Sequence, residues 1–226
     1  YSQWIRERAE EEIGNNYPDV KITNEIIQER PDLSNYLNRT LKVVAWIWAR
    51  TVPCPNPAYS QVPTPLIKSK RLASKKGKEH WVETIVTSNG IKFKVKNENT
   101  TEENHAGNIN RKGGKCLISG SPITFEYIRE CAQSGKMSEQ LMAMVLEGDR
   151  EKLYISPQTD HSVISHNIQP KWFPAGEMKG KAAVNVGLYG FVHFHELFTK
   201  RQLTTLVTFS DLLSEAYNLI IKDIAN

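Results

Sequence analysis

Apolar residues recur at helical spacing near both ends of the chain. Trp4, Ile5, Ala9 and Ile13 fall on one face of a short segment that stops at Gly14, which predicts an N-terminal amphipathic helix over residues 1–13. Leu203, Leu206, Val207, Leu213, Tyr217, Ile220, Ile221 and Ile224 repeat with the same period and predict a long C-terminal helix. Between them the pattern changes to that of strands. Residues 41–50, LKVVAWIWAR, are β-branched and aromatic, and so continuous an apolar run predicts a strand buried on both faces. Residues 81–87 and 91–95 alternate on either side of Ser88-Asn89-Gly90, and an Asn-Gly pair there predicts a hairpin. Residues 140–146 and 152–155 flank Glu147-Gly148-Asp149 and predict a second one. Short helices are expected near residues 24–29, over 124–134 with Gly135 as its stop, and over 157–165.

The remaining segments read as connections. Pro53, Pro55, Pro57, Pro63 and Pro65 interrupt the backbone after the first strand, because each fixes φ and lacks a donor. Residues 96–114, rich in Asn, Glu and Gly, read as a polar loop, and Gly176, Gly180, Gly187 and Gly190 as turn glycines. The reading is a mixed α+β chain in three parts. Residues 1–40 supply an opening helix and linker, 41–156 a β-rich module, and 157–226 a helical connection.

Composition narrows the class. A hydrophobic share of 39% with 24% charged residues excludes a wholly disordered chain. No apolar run is long enough to span a membrane as a helix, and Tyr1 follows neither an initiator Met nor a signal core, so we expect a stretch of a larger cytoplasmic protein. Cys54, Cys116 and Cys131 are three and irregularly spaced, which argues against a secreted disulfide framework and for a reducing compartment. The net charge of +4 is concentrated in Lys68, Lys70, Arg71, Lys75, Lys76 and Lys78, a block with no acid inside it; outside the block acids outnumber bases. Such a block suits contact with DNA phosphates, and equally a solvated loop.

Cys54 and Cys116 each sit in a loop flanked by Pro or Gly and by strands, as the thiolates of a two-knuckle zinc ribbon do. In order along the chain stand WIRERAEEEIGNNYP, AWIWARTVPCPNPA, PLIKSKRLASKKGK, GKCLISGSPIT, MAMVLEGDREKLYISP and LYGFVHFHELFTKRQLTTLVTFSDLL. Together they cover most of the chain, which resembles the zinc-ribbon-containing adenine-specific DNA methylases. In that family the first knuckle runs Cys-Pro-Asn-Pro-Ala-Cys-Gly and the second Cys-Pro-x-Cys-Gly. Cys54, Cys116 and Gly120 match, whereas Tyr59 and Ser119 occupy the other two cysteine positions. The resemblance implies degenerate zinc-ribbon-like hairpins that have lost their metal, with Cys54 and Cys116 as the surviving ligand positions; how such a ribbon stays folded is then a question for its hairpins and for aromatic packing by residues such as Tyr59.

It also implies a prokaryotic, S-adenosylmethionine-dependent N6-adenine DNA methyltransferase as parent, with this chain inserted between the cofactor loop and the catalytic Asp-Pro-Pro-Tyr-type motif. Neither of those motifs is complete here. Implied partners are DNA and the methylase core of the same polypeptide. Asn56-Pro57-Ala58-Tyr59 imitates the adenine-gripping motif but lacks its middle proline and any preceding βαβ unit. His193 and His195 read as surface or packing residues. In residues 197–203, LFTKRQL, Thr199 is placed to cap the last helix, leaving Arg201 and Gln202 to meet a phosphate or the core. The competing class is a structural or protein-interaction module whose lysines only keep it soluble.

Overall fold

Two long antiparallel strands organise the larger part of the molecule, and their sequences explain why. The computed structural model describes residues 1–87, 90–97 and 102–225. In chain order these form α1 (Ser2–Ile13), β1 (Val20–Lys21), α2 (Asn24–Glu29), β2 (Thr40–Leu41), β3 (Val43–Pro53) and β4 (Pro63–Leu66). There follow β5 (Arg71–Ala73), β6 (His80–Thr87), β7 (Gly90–Lys96), α3 (Glu102–His105), β8 (Ile109–Asn110), β9 (Gly113–Lys115) and β10 (Pro122–Ile123). The chain continues through α4 (Phe125–Gln133), β11 (Ser138–Glu147), β12 (Lys152–Ile155), α5 (Thr159–Asn167), α6 (Gly180–Gly187) and α7 (Lys200–Ala225). The fold is mixed α+β, with a helix near each end. Two compact units arise, a helical one (Tyr1–Pro18, Thr159–Gly180, Val192–Asn226) and a sheet-based one (Asp19–Gln158, Lys181–Phe191).

In the sheet-based unit the order β12-β11-β3-β4 is antiparallel throughout. Side chains alternate along a strand, so β3 sends Trp46 and Trp48 towards one apolar cluster, with Met144, Leu146 and Leu33, and Ile47 and Ala49 towards another, with Val82, Phe93 and Val95. The expectation of full burial on both faces is corrected: Val44 is exposed and Trp46, Ile47 and Trp48 are half-buried. β11 serves both clusters too. Its register slips between Leu141 and Ala143, so that Met142 and Ala143 join the second cluster while Leu141 and Met144 stay in the first. One inserted residue is what a bulge supplies.

β5-β6-β7 is a second antiparallel sheet. The hairpin expected around Asn-Gly is present in its strands; Ser88 and Asn89 themselves lie outside the described residues. Val82, Ile91, Phe93 and Val95 are buried on one face. α4 starts where Thr124 accepts a hydrogen bond from the Tyr127 N–H and stops before Gly135, whose φ of 68° favours glycine. The stretch read as a polar loop carries β8 and β9, which pair with each other, and β9 pairs in turn with β10.

In the helical unit α1 and α5 pack on α7, burying Ala9 and Ile13 of the first and Leu203, Val207, Leu212 and Ala216 of the last. Residues 1–40 are thus not a separate part: α1 belongs with α7, whereas Val20, Ile26, Leu33 and Leu41 enter the sheet core. α6 is not legible as a helix in the sequence, because two of its residues are glycines at its ends.

Candidate nucleic-acid interface and thiol pair

Pairing across β5-β6-β7 places Arg71 opposite Trp81 and Trp81 opposite Lys96. Residues opposite one another share a face, and every second residue along a strand repeats it. The face turned from the core therefore bears Arg71, Trp81, Glu83, Ile85, Lys92, Lys94 and Lys96. Glu83 pairs with Lys96 at 3.7 Å and Glu29 reaches Lys94 at 4.0 Å, leaving the face cationic around one indole.

The basic block runs along the edge of this sheet. Lys68 is exposed before β5, Lys70 is half-buried, and Lys75, Lys76 and Lys78 are exposed in the β5–β6 connection. Among the described residues Lys68, Lys70, Lys75 and Lys76 hold no ion pair, whereas Lys78 meets Glu151. That contact belongs to a cleft of about 470 Å³, lined by Lys75, Lys78, Arg150 and Lys152 together with Asp32, Glu79 and Glu151. The sequence does not single out Arg150 and Lys152, because they lie far along the chain from the block, in the β11–β12 hairpin; only tertiary structure brings them together. Arg201 does not join these residues. It is 3% exposed, its guanidinium lies over the Tyr17 ring at 5.3 Å and it donates to the Asn16 carbonyl, so it packs within the helical unit. Gln202 is also committed: its side chain accepts from the Thr199 N–H while Thr199 Oγ1 accepts from its N–H, a reciprocal cap of α7.

The cleft floor is a buried polar group. Arg30, 2% exposed, donates two hydrogen bonds to Asp32 and one to the Tyr154 carbonyl, and its Nη2 lies 3.2 Å from His80 Nε2. His80 Nδ1 faces the Lys78 carbonyl at 2.9 Å, so a ring neutral at Nε2 and protonated at Nδ1 satisfies both contacts. The ring stacks on Tyr154 at 4.7 Å. Burial, aided by the charge of Arg30, pushes the His80 pKa below its ordinary value. Burial works against ionisation of Asp32, but the hydrogen bonds and charge of Arg30 outweigh it and hold the carboxyl below the usual range.

These directions fix the acid response. In the unfolded chain His80 takes up its proton near pH 6.5, before the folded ring does, so stability falls as pH drops below about 6.5. Asp32 contributes stability above its unfolded value near pH 3.9, and loses it as pH falls through the lower folded value. Unfolding free energy measured against pH should fall in two separated steps, and His80→Gln should remove the upper one. An unchanged upper step in that variant would place its origin elsewhere.

The two candidate metal residues also meet. Cys54 follows β3, Cys116 follows β9, and their sulfurs are 3.2 Å apart, with Ser119 Oγ 3.1 Å from Cys54 Sγ. Burial opposes ionisation of Cys116, but hydrogen bonds from Ser119, from the Cys54 thiol and from the Ile118 N–H prevail and bring its pKa down to about 7. Tyr59 does not take part, being 46% exposed; the cluster around the two sulfurs is Val52, Ile109, Ile123, Ile128 and Cys131, and the aromatic side chains packed against it are Phe125, Tyr127 and Tyr189. Asn56 Oδ1 accepts from the Ala58 N–H and caps the Pro57–Tyr59 turn, which commits one of the two lone pairs of the oxygen that an adenine amino group would need. Among the described residues no three His, Cys, Asp or Glu side chains are grouped to hold a metal ion, and no helix is long and apolar enough to cross a membrane.

No family model, curated protein or solved structure matches this chain.

Proposed function

We propose that this chain is the segment of an adenine-specific DNA methyltransferase lying between its cofactor-binding and catalytic motifs, and that it holds the DNA backbone. The observation that supports the reading is the outer face of β5-β6-β7: Arg71, Lys92, Lys94 and Lys96 surround Trp81, and the edge continues into Lys68, Lys70, Lys75, Lys76 and Lys78. Cations neutralise phosphates with release of counterions, and the half-buried Trp81, edge-on to His105, adds an aromatic side chain to that face. Arg150 and Lys152 join Lys75 and Lys78 of that edge in the cleft, beside Asp32, Glu79 and Glu151. In this reading the loops of Cys54 and Cys116 are the knuckles of a zinc ribbon that no longer binds metal, and S-adenosylmethionine is bound by the parent, outside this segment.

Duplex-DNA affinity of the chain, measured by fluorescence anisotropy across salt concentrations of about 50 to 200 mM, should fall steeply. In Lys75→Ala/Lys76→Ala/Lys78→Ala the slope of log K against log salt should be smaller by about 2, near one unit for each phosphate no longer neutralised, since Lys78 is already engaged by Glu151. Affinity that is absent, or independent of salt, would overturn the reading. One observation favours a structural or protein-interaction module instead: Leu206, Phe209, Leu213, Tyr217, Ile221 and Ile224 are exposed along α7. Absent DNA binding would leave that second reading standing.

A further inference from the structure

Cys54 and Cys116 come from separate loops 62 residues apart in sequence, yet their sulfurs are 3.2 Å apart. Each loop is fixed by its own backbone: the Cys54 N–H donates to the Val62 carbonyl at 3.1 Å and the Cys116 N–H to the Ser121 carbonyl at 2.8 Å. Where a metal-binding knuckle pair would spend four thiolates on one ion, this pair holds two thiols and a serine hydroxyl, which makes a two-electron couple. A disulfide needs the sulfurs closer by about 1 Å, within reach of side-chain rotation where both residues stand outside regular strands. Cys131 shares the buried cluster, but the sulfurs within hydrogen-bond distance of each other are those of Cys54 and Cys116.

We propose that Cys54 and Cys116 form a reversible disulfide that clasps the loop after β3 to the loop after β9. The inference is independent of the DNA-binding reading. With hydrogen peroxide as oxidant, one of the two sulfurs, as thiolate, attacks a peroxide oxygen. The O–O bond breaks, hydroxide leaves and takes up a proton, and the sulfur becomes a sulfenic acid. The second sulfur then attacks the first as its own proton departs. The S–S bond forms, the S–O bond breaks, and a second water leaves. Two thiols are thereby oxidised by two electrons while one peroxide is reduced to two waters. A dithiol reductant reverses the bond by exchange.

The test treats the whole folded chain with hydrogen peroxide, alkylates the remaining thiols in denaturant, and maps the digest by mass spectrometry without reduction. Expected is one cross-linked peptide pair containing Cys54 and Cys116, alkylated Cys131, loss of the cross-link on dithiothreitol treatment, and its persistence in Cys131→Ser. The oxidised chain should also melt at a higher temperature than the reduced one, since the bond restricts the unfolded state. Sulfinic acids without a cross-link, a bridge to Cys131, or a lower melting temperature on oxidation would each overturn the proposal.

Discussion

Arg30→Ala is expected to cost about 3 kcal/mol of folding stability. The guanidinium is almost fully buried and supplies hydrogen bonds to Asp32, to the Tyr154 carbonyl and to His80. Truncation leaves that carbonyl without its donor, leaves a carboxylate without its counter-charge, and opens a cavity beneath the cleft. Asp32 retains 39% side-chain exposure and can be rehydrated, which keeps the cost at the lower end of what breaking a buried pair produces. Asp32→Asn tests the other side of the pair, because it leaves the buried cation short of a neutralising partner. The two changes share one network, so the double variant should lose clearly less than their sum. Urea unfolding with an unchanged m-value is the measurement, and a loss below about 1 kcal/mol in Arg30→Ala would show that the guanidinium is not holding the cleft floor.

That network also shows where sequence reading stops. Arg30 and His80 are 50 residues apart, and each belongs to a segment read as linker or as the flank of a charge block. Neither follows a period, so no local pattern marks them. What the pattern does specify is local: the hairpins around Gly90 and Gly148, the Gly135 stop of α4, and the apolar stripe of α7 each follow from residues within a few positions of one another. Basic character is legible for the block from 68 to 78, but its extension through Arg150 and Lys152 depends on how β12 folds back. Arg201 shows the converse. Its charge suggests a surface role, whereas the ring of Tyr17, 184 residues away, provides a buried seat for it. The meeting of Cys54 with Cys116 is legible from their Pro- or Gly-flanked loops between strands and from the resemblance, whereas spacing alone gives two isolated cysteines.

Gly107→Ala should be nearly as damaging as the loss of Arg30, at about 3 kcal/mol, because overpacking against backbone cannot be relieved by a change of rotamer. A Cβ on Gly107 would stand 1.8 Å from the Ile67 carbonyl oxygen and 2.6 Å from the carbonyl carbon of Lys68. This crossing is tied from both sides: the Ile109 N–H donates to that same Ile67 oxygen, and Asn108 accepts from the Ile67 N–H and donates to the Pro65 carbonyl. Moving the chain to admit a methyl group would therefore disturb several hydrogen bonds together. The position is informative because Gly107 lies in the stretch read as a polar loop, where an alanine would ordinarily be harmless or mildly stabilising. It also fixes the backbone from which Lys68 and Lys70 project, since the Gly107 N–H donates to the Lys68 carbonyl and the Lys70 N–H to the His105 carbonyl. In Gly107→Ala, thermal stability and DNA affinity should consequently fall together. In Lys75→Ala/Lys76→Ala/Lys78→Ala affinity should fall while the melting temperature barely moves, since these exposed lysines contribute little to folding. A Gly107→Ala chain that melts normally would mean that the crossing can open at small cost, and that the basic edge is positioned by β5 and β6 alone.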